Sequence, residues 1–381
     1  MTLKTGARGN VAPFYAMEVM RAANARAAAG ERVLHLEVGE PAAGAPEPVM
    51  EAARRALATT RLGYTEALGI PALRQRIAAF YNERYGLVVE PERVVVTTGA
   101  SGAFMLAFLA AFDVGDRVAL VEPCYPAYRN ILAALDIEVV TIAAGPEQRF
   151  QPSVALLEGA GPIDGVIVAS PSNPTGSMLP GAEVKALAAW CHANGVRLIS
   201  DEIYHGISYG AAAESALAHS ESCVVANSFS KYFAMTGWRL GWMVAPEDLL
   251  GAVDRLAQNL FISPPTLPQH AALAAFDCQS ELDGYVAAYA CNRAVLLDGL
   301  AAGGFDRLAP ADGAFYIYAD VSRLADDSQD FCARMLNEIG VAATPGIDFD
   351  PKRGNRYMRF SFAGPEPEVA EAAERIIAWR G

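Results

Sequence analysis

The chain has 381 residues, of which 52% are hydrophobic and 19% charged, a composition typical of globular proteins and long enough for more than one domain. The formal net charge of −13 lacks the basic footprint that binding to nucleic acid or to anionic membranes requires. The six cysteines show no metal-ligand spacing and the N-terminus no apolar signal segment, so we expect a cytoplasmic protein without a metal site.

The first predicted element is an Ala-rich helix over residues 14–29, followed by a short strand in "VLHLEVGEP" and a helix over residues 46–60. From residue 93 onward, runs rich in Val, Ile and Leu alternate with helical patterns. The predicted strands lie in "RVVVTTG", "RVALVEP", "EVVTIAA", "GVIVASP", "VRLISDE", "CVVANSF" and "RLGWMVAP", and the helices among them cover residues 101–112, "AYRNILAAL" and "AEVKALAAWCHANG". This alternation predicts an α/β fold with a mainly parallel sheet covered by helices on both faces.

The pattern changes after about residue 285. A long helix near residues 280–302 leads into "GAFYIYADV", a helix near residues 328–339, "RYMRFSFA" and a final helix in "EPEVAEAAERIIAWR". These elements predict a smaller α+β lobe after the large α/β unit.

Polar residues follow several of the predicted strands, at the edge where ligands bind in such sheets. In "TTGASGAF" a Gly and small residues would let backbone N–H groups face an anion, although an ordinary strand-to-helix turn explains them equally. Asn173 in "SPSNPTG" is either a turn residue or a hydrogen-bond partner for a ligand. Asp201, which ends an apolar strand, is either a helix cap or a buried carboxylate that needs a cation.

The segment "NSFSKYFAMTGWRLGW" carries one lysine, Lys231, among apolar and hydroxyl residues. Desolvation there would lower the pKa of the amine and make it nucleophilic. A lysine that extends its ammonium to solvent at a helix start is the alternative. This segment alone does not decide between them.

Taken together, six motifs resemble those of class I aminotransferases, the aspartate aminotransferase-like family of pyridoxal 5′-phosphate (PLP) enzymes. They are "LEVGEP", "YTEALGIPALR", "SPSNPTG", "DEIY", "SFSKYFAMTGWRLGW" and "RYMRFSFA", in the family's order, and the resemblance runs from about residue 33 to about residue 362. The resemblance implies fold type I of the PLP-dependent transferases. It implies a large cofactor-binding domain over residues 41–280, a small C-terminal domain over residues 281–381, and a segment over residues 1–40 that belongs to the small domain and covers the active site.

The resemblance also implies roles for residues around the cofactor ring. Lys231 would form a Schiff base with the cofactor aldehyde and carry a proton to and from the substrate α-carbon. Asp201 would pair with the protonated pyridine nitrogen and make the ring an electron sink. Tyr204 and Asn173 would hydrogen-bond the phenolic oxygen, and Tyr125 would stack on the ring.

For the cofactor phosphate, the resemblance implies backbone N–H groups at a helix start, two hydroxyls and a guanidinium, whose planar fork suits phosphate. A tyrosine of the partner subunit would reach the same phosphate, which implies a homodimer with shared active sites. The residues concerned are Ala100, Ser101, Ser228, Ser230, Arg239 and, from the partner, Tyr64.

On the substrate side, the resemblance implies that Arg359 clamps the α-carboxylate, assisted by the Gly39 N–H and Asn173. The sequence departs from the family's usual pattern in "AAGAPEP" and "PGIDFD", which leaves the shape of the substrate pocket open. A second cation for a dicarboxylate substrate is not identified, with Arg21, Arg26 and Arg129 as candidates. Four aromatic residues are candidates either for an apolar substrate pocket or for the core: Phe14, Tyr15, Phe261 and Tyr316.

The resemblance predicts an aminotransferase that moves an amino group between an L-amino acid and a 2-oxo acid. A C–S or β-lyase of the same fold is an alternative, because the cofactor residues do not determine which substrate bond breaks. A non-catalytic ligand sensor is a more remote alternative, since it would need a DNA-binding domain of about a hundred residues.

Overall fold

The computed structural model describes residues 3–380, without the side chain of residue 380. Its helices are α1 (Tyr15–Ala28), α2 (Glu47–Thr59), α3 (Pro71–Tyr85), α4 (Gly99–Ala111), α5 (Pro126–Ala134), α6 (Val154–Glu158), α7 (Gly181–Ala193), α8 (Glu247–Leu260), α9 (Thr266–Ala272), α10 (Gln279–Ala302), α11 (Ser328–Ile339) and α12 (Glu366–Arg380). None of these helices is both long and apolar enough to cross a membrane.

The strands form one large and two small sheets. They are β1 (Leu34–His35), β2 (Val94–Thr97), β3 (Arg117–Glu122), β4 (Glu138–Ala143), β5 (Gly165–Ala169), β6 (Arg197–Asp201), β7 (Val224–Ser228), β8 (Gly241–Val244), β9 (Tyr316–Asp320), β10 (Val341–Ala342), β11 (Thr344–Pro345) and β12 (Tyr357–Ser361).

The large sheet has the order β2-β8-β7-β6-β5-β3-β4. Strands β4, β3, β5, β6 and β7 pair in parallel, whereas β8 pairs antiparallel with both β7 and β2. Its strands are apolar on both faces, since Val166 and Val168 of β5 lie in one hydrophobic cluster and Ile167 lies in the other. The predicted mainly parallel sheet, buried on both faces by helices, is therefore confirmed.

The C-terminal lobe contains the antiparallel sheet β11-β12-β9 and the helices α11 and α12. Strand β1 of the N-terminal segment pairs in parallel with β10 of this lobe, with Leu34 opposite Val341. The N-terminal segment is thus hydrogen-bonded to the C-terminal lobe. The domain boundaries given above stay a prediction.

Some elements differ from the sequence-based expectation. The strand predicted in "VLHLEVGEP" contains only two residues, and the helix expected to begin at residue 101 begins at Gly99. Helices α3, α6, α8 and α9 were not predicted. In α8 the signal was present, because Leu249, Val253 and Ala257 recur at helical spacing and are buried.

Candidate active site

A cavity of about 190 Å³ opens at the carboxyl ends of the central strands and is closed on its other side by the N-terminal segment and β12. All the predicted site residues line it except Ser228 and Tyr64. Those that do are Gly39, Ala100, Ser101, Tyr125, Asn173, Asp201, Tyr204, Ser230, Lys231, Arg239 and Arg359. Residues up to 320 positions apart in sequence are thereby brought to one place.

Lys231 lies in the turn that follows β7, and its ammonium is inside the cavity. Nζ donates a hydrogen bond to the Gly39 carbonyl at 2.5 Å, so the lysine does not extend to solvent as the alternative required. Burial, reinforced by the positive charges of Arg359 and Arg239, lowers the pKa of Lys231 to about 8. The amine is therefore available in its uncharged, nucleophilic form near neutral pH.

Asp201, at the end of β6, is a buried carboxylate on the cavity wall. Its Oδ1 accepts the Ile203 N–H at 3.1 Å, and its Oδ2 accepts a hydrogen bond from the Tyr128 hydroxyl. Burial raises the pKa of Asp201 to about 6, although these two donors and the charge of Lys231 oppose the rise. Within residues 3–380 no cation forms an ion pair with it, so a positively charged group in the cavity would stabilise its ionised form.

Arg359 is the opposite case, a buried cation without an anion. Its Nη1 donates to Asn173 Oδ1 at 2.9 Å and its Nη2 to the Glu37 carbonyl at 2.5 Å. The guanidinium lies 4.4 Å from the Tyr316 ring centroid and is only 4% exposed. Its Nε is buried without a partner, and no carboxylate pairs with it in the part of the chain that the structure describes. A bound carboxylate would satisfy this site.

Two aromatic hydroxyls complete this side of the cavity. Tyr204 and Tyr316 are hydrogen-bonded to each other through their hydroxyls at 2.8 Å. A Cβ atom added to Gly39 would lie 1.7 Å from the Tyr316 hydroxyl, so a side chain at residue 39 would collide with this pair.

At the other end of the cavity, the first turn of α4 and Arg239 form an anion cradle. Gly99 has a φ of +70°, and a Cβ atom added there would lie 2.6 Å from Arg239 Nη2. The absence of a side chain lets the guanidinium approach the helix start, where Ala100 and Ser101 have backbone N–H groups in the first turn. The partial positive charge of the helix start and the guanidinium both favour an anion such as phosphate.

Ser228 and Tyr64 lie outside the cavity of their own chain. The Ser228 hydroxyl donates to Ser230 Oγ at 2.8 Å and accepts the Ser230 N–H at 3.1 Å, so Ser228 holds Ser230 from behind. Tyr64, between α2 and α3, is 84% exposed. Its predicted place is in the partner's site, and that role stays a prediction.

Only some of the cationic and aromatic candidates for a substrate side-chain pocket line the cavity. Phe14 and Tyr316 line the cavity, whereas Tyr15 and Phe261 do not. Arg21, Arg26 and Arg129 also lie outside the lining; Arg129 forms an ion pair with Glu122, and Arg26 with Glu31.

Sequence reasoning missed several lining residues, most importantly Tyr128, which holds Asp201. One signal for it existed, because Tyr128 follows Tyr125 by three residues at the start of α5 and so shares its helix face. Met17 and Val38 also line the cavity. Met17 lies outside the six motifs, so no motif indicated it. Val38 had a signal, because it precedes Gly39 in the motif "LEVGEP".

A family profile described as "Aminotransferase class I and II" matches residues 31–376. The chain is 54% identical to the valine–pyruvate aminotransferase of Mycobacterium tuberculosis, with 100% of this chain and 99% of that protein covered. It is 35% identical to the aspartate/prephenate aminotransferase of Thermus thermophilus, with 91% of each chain covered.

Solved structures agree. A crystal structure of an aminotransferase from Mycobacterium tuberculosis superposes with a TM-score of 0.98 at 54% identity, covering 100% of this chain and 99% of the other. The aspartate aminotransferase of Thermus thermophilus with maleate superposes with a TM-score of 0.93 at 32% identity, covering 99% and 100%. These findings confirm the predicted fold and the first of the three predicted functions: the chain is an aminotransferase that belongs to the class I and II aminotransferase family.

Proposed function

We propose that the protein binds PLP in this cavity and transfers the amino group of valine, or of a similar apolar L-amino acid, to pyruvate. The observation that carries the proposal is that two buried charges in one cavity have no ion-pair partner among the described residues: Asp201 has no cation and Arg359 has no anion. A cofactor with a protonated ring nitrogen would pair with Asp201, and the carboxylate of an amino acid would pair with Arg359.

The cavity fits the cofactor. Asp201 would hold the protonated ring nitrogen, Tyr125 would lie against the ring, and Tyr204 and Asn173 would hydrogen-bond its phenolic oxygen. The phosphate would lie in the anion cradle, at the start of α4 beside Ser230 and Arg239, where a Cβ atom on Gly99 would obstruct the guanidinium. When bound, PLP supplies a conjugated ring that accepts the electron pair left on the substrate α-carbon.

The residues of the chain supply binding and proton transfer. Arg359 would bind the substrate α-carboxylate with its planar fork and orient the α-carbon, assisted by the Gly39 N–H. Lys231 Nζ, with a pKa of about 8, would accept the proton that leaves the α-carbon and return a proton in the opposite half of the reaction. The Tyr128 hydroxyl keeps Asp201 oriented toward the cavity.

The lining also supports an apolar amino acid as the donor. Among the described lining residues the only cations are Lys231, Arg239 and Arg359, and each already has a role. A donor with a second carboxylate would find no further cationic partner among these lining residues. The apolar residues Phe14, Met17 and Val38 instead offer surface for an aliphatic side chain. The 54% identical relative is named for valine and pyruvate.

We further propose that the active form is a homodimer, in which Tyr64 of each subunit completes the phosphate site of the other. The 84% exposure of Tyr64 supports this, because a tyrosine so exposed is available to a partner. Leu62, two residues before it, is also exposed.

The proposal is tested by loading the protein with PLP and measuring kcat/KM for L-valine, L-alanine and L-aspartate with pyruvate or 2-oxoglutarate as acceptor. We expect the valine–pyruvate pair to exceed aspartate as donor by at least about tenfold, as hydrophobic pockets discriminate at this level. A faster reaction with aspartate would contradict the donor class. Release of ammonia and pyruvate from cysteine without an acceptor would indicate lyase activity instead.

A further inference from the structure

Helix α1 has its first turn capped by a residue from the far end of the chain. Its own N-cap residue, Phe14, makes no side-chain capping bond. Instead, the Tyr15 and Ala16 N–H groups donate to Asp348 Oδ1 and Oδ2 at 3.2 and 3.1 Å. Unpaired N–H groups at a helix start need acceptors, and a carboxylate also matches the positive end of the helix. Asp348 is 2% exposed, so this cap lies in the interior.

The residues on either side of Asp348 contact Arg359. Thr344 Oγ1 accepts a hydrogen bond from Arg359 Nη2 at 3.3 Å, and the Phe349 ring centroid lies 4.8 Å from the guanidinium. The Asp348 carbonyl accepts a bond from Arg129 at 3.2 Å, which ties the segment to α5. The segment over residues 344–349 thus joins the start of α1 to the carboxylate-binding arginine.

The capped turn faces the cavity. Phe14, Ala16 and Met17 all line it, and the Phe14 ring meets Tyr125 edge-on at 5.7 Å. No charged residue of α1 is among the described lining residues. The start of α1 is therefore an apolar wall of the cavity, and its position depends on Asp348.

We infer that Asp348 is a positioning residue for substrate selectivity: by capping α1 it holds Phe14 and Met17 as the wall against which an aliphatic substrate side chain packs. This inference rests on the proposed function. Valine has two more carbon atoms in its side chain than alanine, while the two share the amino and carboxylate groups. Loss of the wall therefore penalises valine and largely spares alanine, since one methylene in an apolar pocket is worth roughly tenfold or more.

The test compares kcat/KM for L-valine and L-alanine in the PLP-loaded wild type and in Asp348→Asn, which keeps the shape of the side chain. The asparagine amide nitrogen cannot accept a hydrogen bond, so one of the two N–H groups loses its partner. We expect kcat/KM for valine to fall about tenfold and that for alanine to change less than about twofold. Phe14→Ala should reproduce this change in the valine-to-alanine ratio, and the double variant should add little to either.

Asp327→Asn is the control for the loss of a capping charge. Asp327 caps α11 from the helix's own N-cap position, with Oδ1 accepting both the Gln329 and Asp330 N–H groups at 2.7 and 3.3 Å, and no described residue of α11 lines the cavity. Asparagine keeps this acceptor oxygen and loses only the charge at the helix start, so we expect a small fall in Tm and an unchanged valine-to-alanine ratio.

An equal fall for both donors in Asp348→Asn would overturn the inference, as would a changed ratio in Asp327→Asn. The inference would also be overturned if the valine-to-alanine ratio changed in Phe14→Ala but stayed unchanged in Asp348→Asn. A wild type inactive on valine would refute the proposed donor. In that case the positioning role of Asp348 is tested with the two apolar donors of different size that the wild type uses best, by the ratio of their kcat/KM values.

Discussion

Replacement of Arg359 by glutamine tests whether the buried guanidinium binds the substrate carboxylate. In the structure Arg359 donates only to neutral oxygens, those of Asn173, Glu37 and Thr344. A substrate carboxylate would accept two bonds from the guanidinium in which both the donor and the acceptor are charged. Hydrogen bonds to charged groups contribute about 1.5–3 kcal/mol each, so two of them correspond to about 3–6 kcal/mol. At 1.36 kcal/mol per tenfold, Arg359→Gln should lower kcat/KM roughly 10²- to 10⁴-fold.

The control is Arg293→Gln. Arg293 also donates only to neutral carbonyls, those of Ala311 and Pro310, and lies over the ring of Tyr209 at 5.3 Å. It is not among the residues that line the cavity. Arg293→Gln should therefore leave kcat/KM within about twofold of the wild type, because substitutions away from the site have small effects.

The assay is steady-state transamination of L-valine with pyruvate, repeated with isobutylamine, which lacks the carboxylate. Arg359→Gln should lose activity toward valine and leave the slow reaction of the amine unchanged, because the amine offers nothing for the guanidinium to bind. Arg359→Lys, which keeps the charge but not the planar fork, should have a kcat/KM for valine between those of the wild type and Arg359→Gln. If Arg359→Gln lost no more than Arg293→Gln, the carboxylate role would be refuted.

Three further predictions concern the cofactor site. Without PLP, Asp201→Asn should stabilise the protein at pH 8. The pKa of Asp201 is raised from 3.8 to about 6, so the wild type has its full stability below pH 4, where the carboxyl is protonated, and loses stability as the pH rises through 6. At 1.36 kcal/mol per pKa unit this loss, which the asparagine avoids, is up to about 3 kcal/mol. Urea denaturation should show this gain at pH 8 and none near pH 4; a gain at both would contradict the cause. Gly99→Ala should weaken PLP binding about tenfold in equilibrium dialysis, because its Cβ atom would displace Arg239, and unchanged affinity would refute the cradle. Tyr64→Phe should weaken PLP binding several-fold although Tyr64 lies outside the cavity of its own chain. In a mixed dimer of a Tyr64→Phe chain and a Lys231→Ala chain, one site should combine Lys231 of the first chain with Tyr64 of the second and bind PLP with full affinity. If the mixed dimer showed no such site, the proposal of shared active sites would be refuted.

The sequence predicted which residues at the strand ends lie together in one cavity, for a physical reason. Asp201 ends a buried strand, and Asn173 and Lys231 come within four residues after buried strands. The carboxyl ends of parallel strands meet at one edge of the sheet. Local patterns were therefore enough to bring them together. The large sheet was predictable in the same way, because its strands are continuous apolar runs.

The substrate side could not be predicted in the same manner. Asp348 reaches the start of α1 across 333 positions in sequence, and Glu37 accepts from Arg359 through its backbone carbonyl, which no side-chain pattern reveals. Both contacts arise only once the N-terminal segment has folded onto the C-terminal lobe. The departures "AAGAPEP" and "PGIDFD" lie in this region, so the motifs were weakest where we propose that selectivity is determined.

The central claim, that Lys231 is the residue that holds the cofactor, is tested most directly by covalent mapping. The PLP-loaded protein is reduced with borohydride, digested and analysed by mass spectrometry, and Lys4, Lys185 and Lys352 serve as internal controls in the same chain. Because only Lys231 among them lines the cavity, where burial lowers the pKa of its amine to about 8, we expect the reduced cofactor on Lys231 alone, and none after Lys231→Ala. Stoichiometric cofactor on another lysine, or transamination retained by Lys231→Ala, would contradict the account.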